Sequence, residues 1–175
     1  MSDHEKSFVE ELRSFSNHRM WDNMWVEGDG EWIAESLQLG TLDIAHDGSY
    51  QPEISTEVCS AAVIAKCKAT GREMIVSFAE RSRHATNYSV EILGAIATQL
   101  ILNAATRNMS DCENLSVVTH CDNKGVLNHG GKAEAELKEK QAQFDVLHVL
   151  KGLVSASKVL TTFNWVEGHS VEKKD

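Results

Sequence analysis

The sequence predicts an α/β fold: a five-stranded mixed sheet, three antiparallel strands followed by parallel ones, flanked by helices and preceded by a helical N-terminal arm. Three observations predict it. Between Thr41 and Glu80 three runs, TLDIAHD, EVCSAAVIAKCK and REMIVSFAE, carry strand-like apolar patterning, and the turn-like Ala69-Thr70-Gly71 joins the last two into a meander. The next run, YSVEILGAIATQLILNAATR, instead keeps helical spacing at Val90, Leu93, Ala97, Leu100, Ile101 and Ala104. LSVVTHC then reads as a strand again, so the helix is a crossover and this fourth strand can lie parallel to the first.

The elements follow in order. Residues 4–16 place Phe8, Val9, Leu12 and Phe15 on one side of a short amphipathic helix. WDNMWVEGDGEWIAESLQLG carries Trp21, Trp25 and Trp32 and ends at Gly40, a helix stop. Residues 1–40 are therefore expected to form a helical arm, and 41–175 the main domain. The arm either packs on that domain or offers its tryptophans to a neighbouring domain, since Trp is favoured at interfaces. Thr86 or Asn87 is placed to cap the crossover helix, and small Gly94, Ala95 and Thr98 beside Glu91 allow that helix close to a sheet. A short helix is expected from Asn123 to a break at Gly130-Gly131, then a longer one through Phe144, Leu147, Leu150 and Val154, and a fifth strand, VLTTFNWV.

Composition narrows the functional classes. Hydrophobic residues at 42% and charged residues at 25% are ordinary for a globular chain, which argues against disorder. No apolar run approaches the roughly 20 residues of a membrane span, and the polar N-terminus MSDHEKSF is unlike a secretory signal. An intracellular protein, cytoplasmic or nuclear, with no membrane partner is expected. Cys59, Cys67, Cys112 and Cys121 form no CxxC pair and read as reduced, mostly buried thiols. The net charge of −9 argues against indiscriminate nucleic-acid binding, although Arg72, Arg81 and Arg83 offer a local basic patch.

Three carboxylates carry the chemical signal. Asp47 closes the first strand run and opens into Gly48-Ser49, Glu91 sits near the start of the apolar helix, and Asp122 closes LSVVTHC. With the first and fourth strands adjacent and parallel, Asp47 and Asp122 end neighbouring strands on one edge. Hard divalent cations prefer carboxylate oxygens, and two of them about 4 Å apart clamp the attacking and leaving oxygens of a phosphodiester. Taken singly, each acid has a plainer role: Asp47 as a turn residue, Asp122 as a helix N-cap, Glu91 as a first-turn acid favoured by the helix dipole. His46 and His120 lie near the aspartates and invite a zinc reading. His46, however, falls on the opposite sheet face from Asp47, and His120 reads as a packed strand residue. His4, His18, His84, His129 and His148 show no ligand cadence.

From about Thr41 to Ser170 the chain resembles ribonuclease H. The residues that carry the resemblance are Asp47-Gly48-Ser49 on the first strand, Thr86-Asn87 before the helix, Glu91 within it, Asp122 closing the fourth strand, and Trp165-Val166-Glu167-Gly168-His169 on the fifth. VCSAAVIAK and YSVEILGA look closer to retroelement ribonuclease H domains than to cellular enzymes. The resemblance implies that Asp47, Glu91 and Asp122 hold Mg2+, with Mn2+ able to substitute. It further implies cutting of the RNA strand of an RNA/DNA hybrid, leaving a 3'-hydroxyl and a 5'-phosphate. Glu91 and the backbone at Gly48-Ser49 would sense the ribose 2'-hydroxyl, Thr86 and Asn87 would grip the nucleic-acid backbone, and His169 would assist with water or product release.

Two departures from the family's pattern shape the expectation. The family's fourth metal-binding aspartate lies on a final helix farther beyond the Gly-His pair than this chain extends, so the domain is expected to be C-terminally truncated, with Asp175 as the one available substitute. The segment HGGKAEAELKEKQAQ replaces a basic, Trp-containing protrusion, which weakens phosphate grip and leaves room for a neighbouring polymerase or other domain to supply it. The alternative function is a catalytically impaired ribonuclease H-like docking or scaffolding domain of a retroelement-derived protein. A third is an integrase- or resolvase-like member of the superfold acting on DNA, against which Glu91 on the helix and the Thr86-Asn87 pair both argue.

Overall fold

The computed structural model describes residues 5–15, 18–55, 57–81, 87–109, 115–121 and 144–165. Its helices are α1 (Phe8–Ser14), α2 (Trp32–Leu39), α3 (Asn87–Ala105) and α4 (Phe144–Ala156). Its strands are β1 (Met24–Val26), β2 (Leu42–Tyr50), β3 (Val58–Cys67), β4 (Glu73–Arg81), β5 (Ser116–Cys121) and β6 (Leu160–Trp165). The strands make one sheet in the order β1-β4-β3-β2-β5-β6. β1, β4, β3 and β2 pair antiparallel in succession, whereas β2–β5 and β5–β6 are parallel.

This is the mixed α/β arrangement expected from the sequence, a three-strand meander with two parallel strands beside its first strand. The described residues form six strands where five were expected. The additional strand, β1, has three residues and pairs with Met74–Val76 at the edge of β4. A three-residue strand is too short to show a period of two, so MWV between turns gave no strand signal.

Local chemistry accounts for the elements. In α1 the Ser7 side chain accepts the Glu10 N–H, and the Glu10 carboxylate accepts the Ser7 N–H, a reciprocal cap visible in the sequence as S-x-x-E. Gly40 ends α2 in the left-handed conformation (φ 70°), donating to the carbonyls of Leu37 and Ser36. Along β3 buried and outward residues alternate, with Cys59, Ala61, Val63, Ala65 and Cys67 inward. The matching inward residues of β2 and β4 are Leu42, Ile44 and His46, and Met74 and Val76. α3 covers this inner face and is buried on most sides, which explains its nearly unbroken apolar sequence. Each of Ile92, Ile101 and Leu102, fully buried here, contributes roughly 1.5–3 kcal/mol. α4 packs beside α3 through Leu150.

Described residues among the first 40 share this core. Phe8, Leu12, Met20, Trp21, Trp32, Ile33 and Leu37 join the sheet's inner face and α3 in one buried cluster. Arg107 at the end of α3 ties these parts together, donating to the carbonyls of Lys6 and Ala104 and pairing with the Glu31 carboxylate at 2.6 Å. Trp21 and Trp32 are core residues, and only Trp25 of the three stays half exposed. Trp25 heads a cross-strand row on the outer sheet face with Ile75 and Ile64, which are 38% and 45% exposed. Cys59, Cys67 and Cys121 are buried, as expected, and Cys112 lies outside the described residues. So does the short helix expected from Asn123.

Candidate active site

The candidate site forms where α3 crosses β2. Gly48 has no side chain, and the helix uses that space: a Cβ placed on Gly48 would lie 2.6 Å from Val90 Cγ1, 3.1 Å from Glu91 Oε1 and 3.2 Å from the Val90 carbonyl carbon. The close approach lets the Gly48 N–H serve two acceptors, Asp47 Oδ1 at 2.8 Å and Glu91 Oε1 at 2.9 Å. One backbone donor thus gathers a strand carboxylate and a helix carboxylate from distant parts of the sequence. Asp47 is exposed, while Glu91 is only 4% exposed.

A second contact fixes the same crossing one helical turn on. Gly94 lies over the His46 ring, and a Cβ there would sit 2.9 Å from His46 Nδ1. His46 Nδ1 in turn lies 3.9 Å from Glu91 Oε2. The residues on either side of Asp47 therefore face the two oxygens of Glu91, His46 from the inner sheet face and Gly48 through its amide. Burial pushes the His46 imidazole down to about 4, against the opposing pull of the Asp47 charge, so the ring is neutral at pH 7.

Two predictions arise here. Gly48→Ala is expected to destabilise the fold by about 1–3 kcal/mol through overpacking against Val90, and to move Glu91 off the amide; urea unfolding measures the first effect. His46 makes the protein acid-labile. Its folded value lies below the ordinary histidine value of 6.5, so nothing is lost above that pH. As pH falls from about 6.5 to about 4 the unfolded state takes up a proton that the folded state refuses, and stability drops by up to roughly 3 kcal/mol before levelling. Unfolding midpoints across this range, with His46→Gln flattening the slope, check it.

The other expected site residues divide clearly. Ser49 is exposed on β2 next to Gly48. Asn87 begins α3, and its side chain is not described. Thr86, Asp122, His169, Asp175 and Arg83 lie outside the described residues. β5 is described up to Cys121 and pairs with β2 at Ile44↔Thr119 and Ala45↔His120, so the two strands run side by side towards the Asp47 edge. Among the described residues no group of three or more His, Cys, Asp and Glu side chains could hold a metal ion, and Asp47 with Glu91 is a pair. Carboxylate oxygens are the hard ligands that divalent cations prefer. Arg81 is paired with Glu57 at 3.2 Å, and Arg72 is exposed.

Sequence reasoning missed one arrangement near the site. His120 lies on the outer sheet face, where its Nε2 is 3.0 Å from Asp43 Oδ1 and its Nδ1 is 3.3 Å from Asn164 Nδ2. It is held by hydrogen bonds across β2, β5 and β6 and its side chain is 33% exposed, whereas a packed strand residue was expected. The alternation of LSVVTHC carried the signal, since Val117, Thr119 and Cys121 take the buried positions. A polar cleft of about 260 Å³ opens beside Asp43, His120 and Lys68, at the end of β2 away from Asp47.

No protein-family model matches the chain, and no curated protein matches it. Among solved structures, the chain is similar to an N-terminal ribonuclease H domain from Mycobacterium tuberculosis, solved as a fusion with maltose-binding protein. The identity is 13%, the match covers 74% of this chain and 84% of that one, and the TM-score is 0.49. It is also similar to the PFV ribonuclease H domain (11% identity, 74% and 80% covered, TM-score 0.44). A third similar structure is LC11 ribonuclease H1 in complex with an RNA/DNA hybrid (13% identity, 74% and 89% covered, TM-score 0.39). The fold described above stands on the strand order and register of this chain.

Proposed function

We propose that this chain is a metal-dependent endonuclease that hydrolyses the RNA strand of RNA/DNA hybrids. The observation that carries the proposal is the Gly48 amide shared by Asp47 and Glu91, which joins two of the three carboxylates singled out in the sequence. Two neighbouring carboxylates, one of them buried, repel each other, and a divalent cation is the natural counterion. Asp47 and Glu91 would hold Mg2+, or Mn2+ in its place, with Asp122 as the third ligand. Bound there, the metal supplies positive charge that acidifies water and offsets the charge growing on the phosphodiester.

The chain's own groups set the geometry. Gly48 N–H holds the Glu91 carboxylate beside Asp47, so both acids meet a substrate phosphate from one side. Ser49 is exposed on β2 next to this point, and in this reading it and the Gly48 backbone would meet a ribose 2'-hydroxyl. Water adds to phosphorus, the bond from phosphorus to the ribose 3'-oxygen breaks, and the products are a 3'-hydroxyl and a 5'-phosphate. With a net charge of −9, few phosphate contacts are expected, so affinity for the hybrid would be modest and only weakly dependent on salt. Among the described residues no helix is long and apolar enough to cross a membrane.

The test is incubation of a hybrid labelled on both strands, in Mg2+ and in Mn2+, beside duplex DNA and single-stranded RNA. Cutting confined to the RNA strand of the hybrid is the expected result. No cutting of any substrate favours the docking or scaffolding alternative, and cutting of duplex DNA favours the integrase-like one.

A further inference from the structure

We propose that His46 is a positioning residue for Glu91, an inference that rests on the metal-site reading above. His46 is 3% exposed and stands on the inner face of β2, immediately before Asp47. Its ring fills the gap under Gly94, which lies three residues after Glu91 and so on the same face of α3. The ring therefore sets the height of the helix over the strand at the turn that carries Glu91. Its Nδ1 also faces Glu91 Oε2 at 3.9 Å, while Oε1 is taken by the Gly48 amide. The Gly48 amide fixes Oε1 next to the residue that follows Asp47, and the ring beside Oε2 limits how far the carboxylate can turn from that position. Groups of this kind, behind the ligands, typically change metal affinity by 10–100-fold when removed.

An apolar residue of similar size at position 46 would keep the spacing and lose the polar contact, whereas glutamine would keep a polar group within reach of Oε2. Spacing and orientation are thus separable. Gly94→Ala disturbs the same element from the other side, because its methyl group would press on the His46 ring.

The experiment is Mn2+ titration of metal-free protein, followed by electron paramagnetic resonance, for wild type, His46→Leu, His46→Gln, Gly94→Ala and Glu91→Gln, each first shown to be folded by its thermal melt. The expected result is that His46→Leu weakens Mn2+ binding at least tenfold, Gly94→Ala weakens it in the same direction, and His46→Gln stays within about threefold of wild type. If His46→Leu is too unstable to titrate, His46→Gln and Gly94→Ala decide. Wild-type affinity in His46→Leu, or equal loss in the leucine and glutamine variants, overturns the positioning role while leaving the metal site standing. Absence of Mn2+ binding by wild type, or binding that Glu91→Gln leaves unchanged, overturns the metal-site reading itself and this role with it.

Discussion

Asp47→Asn and Glu91→Gln are each expected to lower the rate of hybrid cleavage about a thousandfold or more, equivalent to about 4 kcal/mol of transition-state stabilisation. Both substitutions keep shape and remove charge, so the loss isolates metal holding from packing. Asp47 is exposed, and its neutralisation also relieves repulsion with Glu91, so the thermal midpoint is expected to stay level or rise. Glu91→Gln retains an oxygen for the Gly48 amide. Single-turnover rates beside melting curves make the comparison. A fall in activity that merely tracked a fall in stability would count against the assigned roles.

Phe8→Ala is expected to cost about 3–5 kcal/mol of global stability, although Phe8 lies far in sequence from the sheet. The Phe8 side chain is fully buried, in one cluster with Ile44 of β2, Met74 of β4 and Ile92 of α3. It also packs against Gly30, whose φ of 80° and lack of a side chain accommodate the ring. Urea unfolding followed by tryptophan fluorescence and far-UV circular dichroism measures the cost. If residues 1–40 were a separate arm, the variant would lose signal from the arm while the rest unfolded at the wild-type midpoint. A single, shifted transition is the expected outcome.

What the sequence revealed, and what it did not, follows from the range of the interactions involved. The strands of the meander were readable because one face is buried, so that β3 alternates inward and outward over its whole length. The crossover helix was readable because its apolar positions persist for five turns. β1 was invisible because pairing with β4, not its own pattern, makes it a strand. At the site, Asp47 and Glu91 stood out through their short local motifs. The amide that joins them did not, because the close approach of Val90 and Glu91 to Gly48 depends on how the helix docks. His46 was correctly placed on the face opposite Asp47, but its packing under Gly94 needed the tertiary fold. Asp122, Thr86 and His169, which the resemblance assigns to the same chemistry, remain expectations from the sequence.

Whether Asp47 and Glu91 form one metal site is measured most directly by a double-mutant cycle in Mn2+ affinity. Wild type, Asp47→Asn, Glu91→Gln and the double variant are titrated under one set of conditions. One shared site predicts that each single change weakens binding strongly and that the double change costs clearly less than the two added together. Strictly additive losses would mean two independent sites, and unchanged binding in all variants would mean that the carboxylates gathered at Gly48 hold no metal.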